Sequence, residues 1–224
     1  MKKIFKKKQE SSTKKPWYRE YSEALVVAAI LALIIRAFIV QAYKIPSGSM
    51  EDTLLIGDHL LVCKFIYGTK IPFTDIEILE FDDPERGDIV VFEFPEDEDK
   101  SWWKRRDFIK RIVGVPGDQI EIRDKKLYVN DEHYRIEQEI YKEPGTIYPG
   151  TMPFPQDRRD FMPVVTVPEG HYFVLGDNRD RSYDSRFWGF VSEDKIKGQA
   201  FIKYWSWDSE TNRPRWSRIG RPIE

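Results

Sequence analysis

Apolar and polar positions follow two different rhythms along this chain. From Ala24 to Tyr43, twenty residues run apolar, interrupted only by Arg36 and Gln41 toward the C-terminal end. At ~1.5 Å rise per residue, a helix of that length matches the ~30 Å hydrocarbon layer of a bilayer. Beyond residue 44 the pattern breaks into short runs rich in β-branched and aromatic residues: Asp88–Phe94, Phe108–Val113, Gln119–Arg123, Leu127–Val129 and His171–Leu175. Turn signals separate them, among them Pro116-Gly117-Asp118, Asn130-Asp131, Pro168-Glu169-Gly170 and Gly176-Asp177-Asn178. Short runs between such punctuation read as strands. The expected architecture is one N-terminal transmembrane helix followed by a mostly β body of antiparallel sheet, without internal repeats.

Two stretches depart from the strand rhythm. Glu96–Lys100, Ser101-Trp102-Trp103 and Lys104-Arg105-Arg106 form an expected surface excursion, whose paired tryptophans either meet a lipid interface or pack on the body. Residues 131–168 hold Pro144, Pro149, Pro153, Pro155 and Pro163, which predicts a small inserted, loop-rich lobe. The expected division is a basic tail over 1–23, an anchor over 24–43, a β body over 44–130 and 169–224, and the lobe over 131–168.

Charge sharpens this division. The whole chain carries 36 Lys+Arg against 38 Asp+Glu, a net of −2. Residues 1–23 contain eight basic and three acidic residues, so the tail is +5 and the remainder −7. A basic tail ahead of an apolar run, on an acidic body, argues against a nucleic-acid partner and for a phospholipid bilayer. The tail is then cytoplasmic and everything after residue 43 lies outside. A cleaved secretory signal peptide is the competing reading, since Ala24–Ile35 suits an h-region and Val40-Gln41-Ala42 a cleavage site, but Arg36 interrupts it. One cysteine, Cys63, excludes an internal disulfide framework. Together with three scattered histidines (His59, His133, His171), it leaves little for a metal centre.

Candidate chemistry begins just after the apolar run, at Pro46-Ser47-Gly48-Ser49-Met50. Gly48 permits close backbone approach, and in an extended segment Ser47 and Ser49 project to one face, so one hydroxyl can assist while the other attacks. The same composition also suits a juxtamembrane spacer. None of the histidines is marked as a partner base. A lysine kept neutral by burial is the alternative. In an extended Phe108–Ile112 run, Lys110 shares a face with Phe108 and Ile112, while Arg111 shares the other with Ile109 and Val113. Lys110 is then either such a base or a half-exposed side chain reaching for water. Finally, Gly176–Phe190 alternates acids and arginines before aromatics, as an ion-pair network beneath a site does, or a charged turn between strands.

Taken together, Pro46–Met50 with Thr53–Asp58, Arg86–Phe92, Lys110–Asp118 and Gly176–Phe190 resemble the bacterial type I signal peptidases, membrane-anchored serine proteases that remove signal peptides from exported proteins. The resemblance implies Ser49 as nucleophile and Lys110 as general base, without metal or organic cofactor. It implies an oxyanion hole from the Ser49 N–H and the Ser47 hydroxyl. Ser182 would orient the Lys110 amine, supported by ion pairs of Arg111, Asp177, Asp184 and Arg186. Ile45, Met50, Leu54 and Ile109 would line shallow apolar pockets for small substrate residues at −1 and −3. The implied partners are preprotein signal peptides and the cytoplasmic membrane. Asp52 stands where the family usually has Pro, and Phe108 where Tyr is common. Two rivals remain at this stage: another Ser-Lys protease of the self-cleaving repressor type, and a non-catalytic anchored β module binding export partners.

Overall fold

The computed structural model describes residues 16–70, 77–80, 82–147 and 157–223, and divides into two units, Met1–Ala37 and Phe38–Glu224. Most of the basic tail (1–15) and part of the Pro-rich lobe (148–156) lie outside the described residues.

In the first unit, helix α1 (Trp17–Phe38) begins directly after Pro16, whose carbonyl accepts from the N–H groups of Arg19 and Glu20. The helix therefore starts inside the expected tail, helped by an Arg19–Glu23 pair one turn apart. It also ends earlier than the apolar run, because Val40–Lys44 is strand. Its apolar side chains are open on all sides, from Leu25 at 72% to Ile34 at 47% exposure. Among the described residues, no helix is long and apolar enough to cross a membrane.

The second unit is built from strands β1 (Val40–Lys44), β2 (Asp58–Cys63), β3 (Tyr67–Lys70), β4 (Glu77–Glu80), β5 (Ile89–Glu93), β6 (Asp107–Gly114), β7 (Gln119–Arg123), β8 (Lys126–Val129), β9 (Glu132–His133), β10 (Met162–Thr166), β11 (His171–Leu175), β12 (Val191–Ser192), β13 (Ile196–Asp208), β14 (Arg213–Pro214) and β15 (Arg221–Pro222). Two four-residue helices, α2 (Asp157–Asp160) and α3 (Ser185–Trp188), interrupt them. The large antiparallel sheet runs β1-β2-β13-β5-β6-β11-β12, with β14 and β15 also on β13. A smaller sheet runs β10-β7-β8-β9, and β3 pairs β4. The mostly-β, antiparallel expectation holds. The body–lobe boundary at residue 131 does not, since it cuts between β8 and β9 of one small sheet. Pairing of β7 with β10 joins segments that the chain order separates.

Both faces of the large sheet are covered. Ile45, Met50, Leu54, Leu60, Val62, Ile89 and Val91 form one core, and Val90, Phe92, Ile112 and Val174 another. The small sheet closes over Val113, Phe173 and Leu175. Strand β6 therefore carries buried residues on both of its faces from Lys110 onward.

Candidate active site

Three segments converge where β5, β6 and β11 lie side by side. The first is the loop between β1 and β2. Ile45 N–H donates to Asp58 and Gly57 N–H to Ile45, closing the loop at its base. Gly57 is required there: it holds φ +93°, and a Cβ would lie 2.1 Å from the Trp207 carbonyl oxygen. Fully buried Met50 and Leu54 pin the loop to the core. The Ser47–Met50 segment is a turn, with Glu51 N–H donating to Gly48, and not the extended segment in which both hydroxyls would share a face. Ser47 is consequently exposed at the rim while Ser49 is buried.

The second segment is β6, in which Lys110 pairs Val90 of β5. Lys110 is 4% exposed, and its Nζ donates to Ser49 Oγ at 2.8 Å and to the Ile109 carbonyl at 2.8 Å. Burial pulls its pKa down to about 8. The carboxylates of Asp184 and Asp177 work against that fall and Arg186 adds to it. The reading of Lys110 as a half-exposed, water-seeking side chain is overturned: both faces of the sheet are covered, and the amine is 4% exposed, turned toward Ser49 and not out into water.

The third segment leaves the end of β11 as Gly176-Asp177-Asn178. Gly176 permits close contact, since a Cβ there would sit 2.2 Å from Ser182 Oγ and 2.4 Å from the Ser49 carbonyl oxygen. Asp177 accepts from Arg111 Nε and Nη2, each at 2.9 Å, and from Thr53 Oγ1 at 2.6 Å, tying the serine loop to β6. Asn178 holds that loop through its backbone N–H to Ser49 O and Nδ2 to Gly48 O, both at 3.1 Å. Farther on, Asp184 caps α3 and pairs Arg186 at 2.8 Å, while Arg186 also donates to the carbonyls of Arg159 and Arg179. Burial would raise the Asp184 carboxyl, but the Arg186 guanidinium outweighs it and holds the group below the usual carboxylate range. Ser182 Oγ is buried beside Gly176 and near Asp184, and no partner meets it with hydrogen-bond geometry.

An open cleft of about 380 Å³ exposes this constellation, lined by Ser47, Gly48, Ser49, Glu51, Ile56, Phe108, Lys110, Asn178, Arg181 and Tyr183. Of the four residues expected to supply supporting ion pairs, Arg111 meets Asp177 and Arg186 meets Asp184. The four residues expected to line apolar pockets do not reach this cleft. Ile45, Met50 and Leu54 are core residues, and partly buried Ile109 packs on the same cluster, because their side chains complete the hydrophobic layer under the serine loop. The apolar walls are instead Ile56, Phe108 and Tyr183. Phe108 stacks on Phe94 at 4.4 Å between ring centroids and lies 5.4 Å from Lys110 Nζ. Asn178, Arg181 and Tyr183 looked like turn residues in the sequence. Their place within the Gly176–Phe190 cluster was the available signal.

A hydroxyl and a desolvated amine in direct contact, with no histidine lining the cleft, is the arrangement of a Ser-Lys hydrolase. The family model described as signal peptidase, peptidase S26, matches residues 18–205. The chain belongs to that family. It is 36% identical to signal peptidase I of Pseudomonas aeruginosa, covering 94% of this chain and 81% of that one. It is 39% identical to a probable signal peptidase I-2 of Synechocystis, covering 89% and 78%. A solved signal peptidase I from Enterococcus faecalis aligns at 30% identity and a TM-score of 0.38, over 53% of this chain and 97% of that one. Membership makes the chain a serine peptidase.

Proposed function

We propose that this peptidase removes N-terminal signal peptides from exported preproteins, with Ser49 as nucleophile and Lys110 as general base. The observation that supports the reading is the 2.8 Å contact between Lys110 Nζ and Ser49 Oγ inside a buried pocket. An amine lowered to about 8 has a substantial neutral fraction near neutrality, unlike an exposed lysine. Neutral Lys110 takes the Ser49 proton as Oγ attacks the scissile carbonyl. The resulting ammonium protonates the leaving amine, which departs as the mature N-terminus and leaves an ester on Ser49. Lys110 then takes a proton from water, whose oxygen attacks the ester and releases the signal peptide. The Ser49 N–H and the Ser47 hydroxyl stabilise the oxyanion, and Ser182 orients the amine. Arg111, Asp177, Asp184 and Arg186 hold the surrounding backbone.

The substrate lies extended along the cleft, with small residues at −1 and −3 against Ile56, Phe108 and Tyr183, above the layer formed by Ile45, Met50, Leu54 and Ile109. The apolar run of residues 24–43, which extends beyond the end of helix α1, anchors the chain in the cytoplasmic membrane as a single pass. Its exposed apolar surface and the +5 charge of residues 1–23 support an N-terminus inside and a catalytic unit outside. Enzyme and preprotein then share one plane, which raises their effective concentration.

Cleavage of a preprotein bearing a small-x-small site, by full-length protein in detergent or lipid, tests this. Ser49→Ala and Lys110→Ala are expected to be inactive, and undiminished cleavage by Ser49→Ala refutes the assignment. Protease added outside spheroplasts should digest the catalytic unit and spare the N-terminal tail.

A further inference from the structure

The Gly48 carbonyl and the Ser49 N–H belong to one peptide plane, and in a trans peptide they point in opposite directions. Asn178 Nδ2 donates to that carbonyl at 3.1 Å, and the Glu51 N–H reaches the same oxygen at 3.3 Å. The Asn178 backbone N–H donates to the next carbonyl, that of Ser49, at 3.1 Å. One residue therefore clamps the peptide groups on both sides of the Ser49 Cα. The Ser49 N–H, on the far side of the clamped plane, donates to no acceptor among the described residues. Asn178 is fully buried, yet its Oδ1 has no partner among the described residues. Leaving a buried amide oxygen unsatisfied is unfavourable, so the contribution of this side chain lies in its donor, not in burial.

We propose that Asn178 is a positioning residue for the oxyanion hole: by holding the Gly48 carbonyl, it orients the Ser49 N–H toward the developing oxyanion. The hydrogen bond to the carbonyl also polarises the shared peptide and strengthens the N–H as a donor. Preorganised donors act in the transition state, where charge develops on oxygen, and contribute little to ground-state binding. The inference rests on Ser49 being the nucleophile, and the test keeps the two apart.

Full-length Ser49→Ala, Asn178→Ala and Asn178→Asp are compared with the parent protein in detergent, with urea unfolding to establish that each variant is folded. Asn178→Asp is isosteric and replaces the donor by an acceptor facing the Gly48 carbonyl, so it carries the test if the alanine variant does not fold. Three probes are used: a preprotein with a small-x-small site, a peptide aldehyde of matching sequence, and the same peptide with a reduced, uncleavable bond. In the aldehyde adduct a Ser49 Oγ–carbon bond forms, the carbonyl π bond breaks onto oxygen, and the serine proton passes to Lys110. The expected result is a fall in kcat on the order of 10–100-fold with KM changed by less than about two-fold. Affinity for the aldehyde should fall in step, affinity for the uncleavable peptide should hold, and in the uncharged Asn178→Ala the midpoint of the pH–activity profile should not move. Retained kcat in a folded variant, or equal loss of affinity for both peptides, overturns the role of Asn178. Retained cleavage by Ser49→Ala overturns the nucleophile assignment itself.

Discussion

Lys110 and Arg111 are neighbours on β6, both 4% exposed, yet the protein treats their charges in opposite ways. Arg111 meets Asp177 in a two-pronged pair and also donates to the Gly87 carbonyl at 2.8 Å. Across the strand, Lys110 is given a serine hydroxyl and a backbone carbonyl, with Asp177 and Asp184 near enough to oppose its loss of charge but not to pair with it. The arginine side is an ion-pair layer that holds loops in register. The lysine side is a pocket in which a cation is unfavourable, and it lowers the pKa of the amine. One strand thus serves both purposes because alternation sends adjacent side chains to opposite faces.

The contrast breaks most completely at the lysine. Lys110→Arg should be as inactive as Lys110→Met, with cleavage down by at least about 10³-fold, since a guanidinium does not give up its proton. Measurable turnover by Lys110→Arg in the preprotein assay would mean the base lies elsewhere. On the arginine side the loss should be of stability. Asp177→Ala leaves the Arg111 charge buried and is expected to cost about 3–5 kcal/mol in urea unfolding.

Titration sharpens the comparison further. Activity should rise about ten-fold between pH 7 and 9, with a midpoint near 8 as Lys110 deprotonates. A flat profile counts against a lysine base. Stability moves with it: the folded pKa lies below the unfolded value, so between pH 8 and 10.5 the unfolded chain binds more protons. Stability should therefore climb with pH across that window, and Lys110→Met should abolish the climb. Smaller still is Ser182→Ala, expected to lower kcat by about ten-fold while changing unfolding free energy by less than about 1 kcal/mol, since the hydroxyl lies near Asp184 but makes no well-formed hydrogen bond among the described residues. At the bottom of the scale, Trp102→Ala and Trp103→Ala should leave stability in detergent within about 0.5 kcal/mol, because both rings are exposed, at 78% and 66%.

Much of the site could be read from local pattern. Alternation separated Lys110 from Arg111, and β5, β7 and β11 fall close to their expected runs. Other features depended on distant partners. Strand β13, thirteen residues long and the hub of the large sheet, has a burial pattern broken by bulges against β2 and β5. Its alternation is correspondingly hard to see in sequence. Ile45, Met50 and Leu54 were expected at pocket walls because the family resemblance implied it, but apolar residues beside a nucleophile are equally suited to anchor its loop. Only the layer formed with Leu60, Val62, Ile89 and Val91 distinguishes the two. The apolar run was evident, but not its helical limits: Pro16 moved the start back, and pairing of Val40–Lys44 with β2 ended the helix early.

By itself, then, the sequence determined the chemistry on offer: one exposed-looking serine turn, one lysine within an apolar strand, a basic tail before an apolar run, and too few cysteines and histidines for a metal or disulfide scaffold. These are properties of composition and near-neighbour spacing. Tertiary structure decided which lysine is buried against a serine hydroxyl and which residues wall the cleft, because desolvation depends on atoms brought from β5, β11 and the serine loop, as much as 130 residues away along the chain. The same reason hid Asn178. A turn asparagine takes up the role proposed for it only when folding sets its amide against the carbonyl that precedes Ser49.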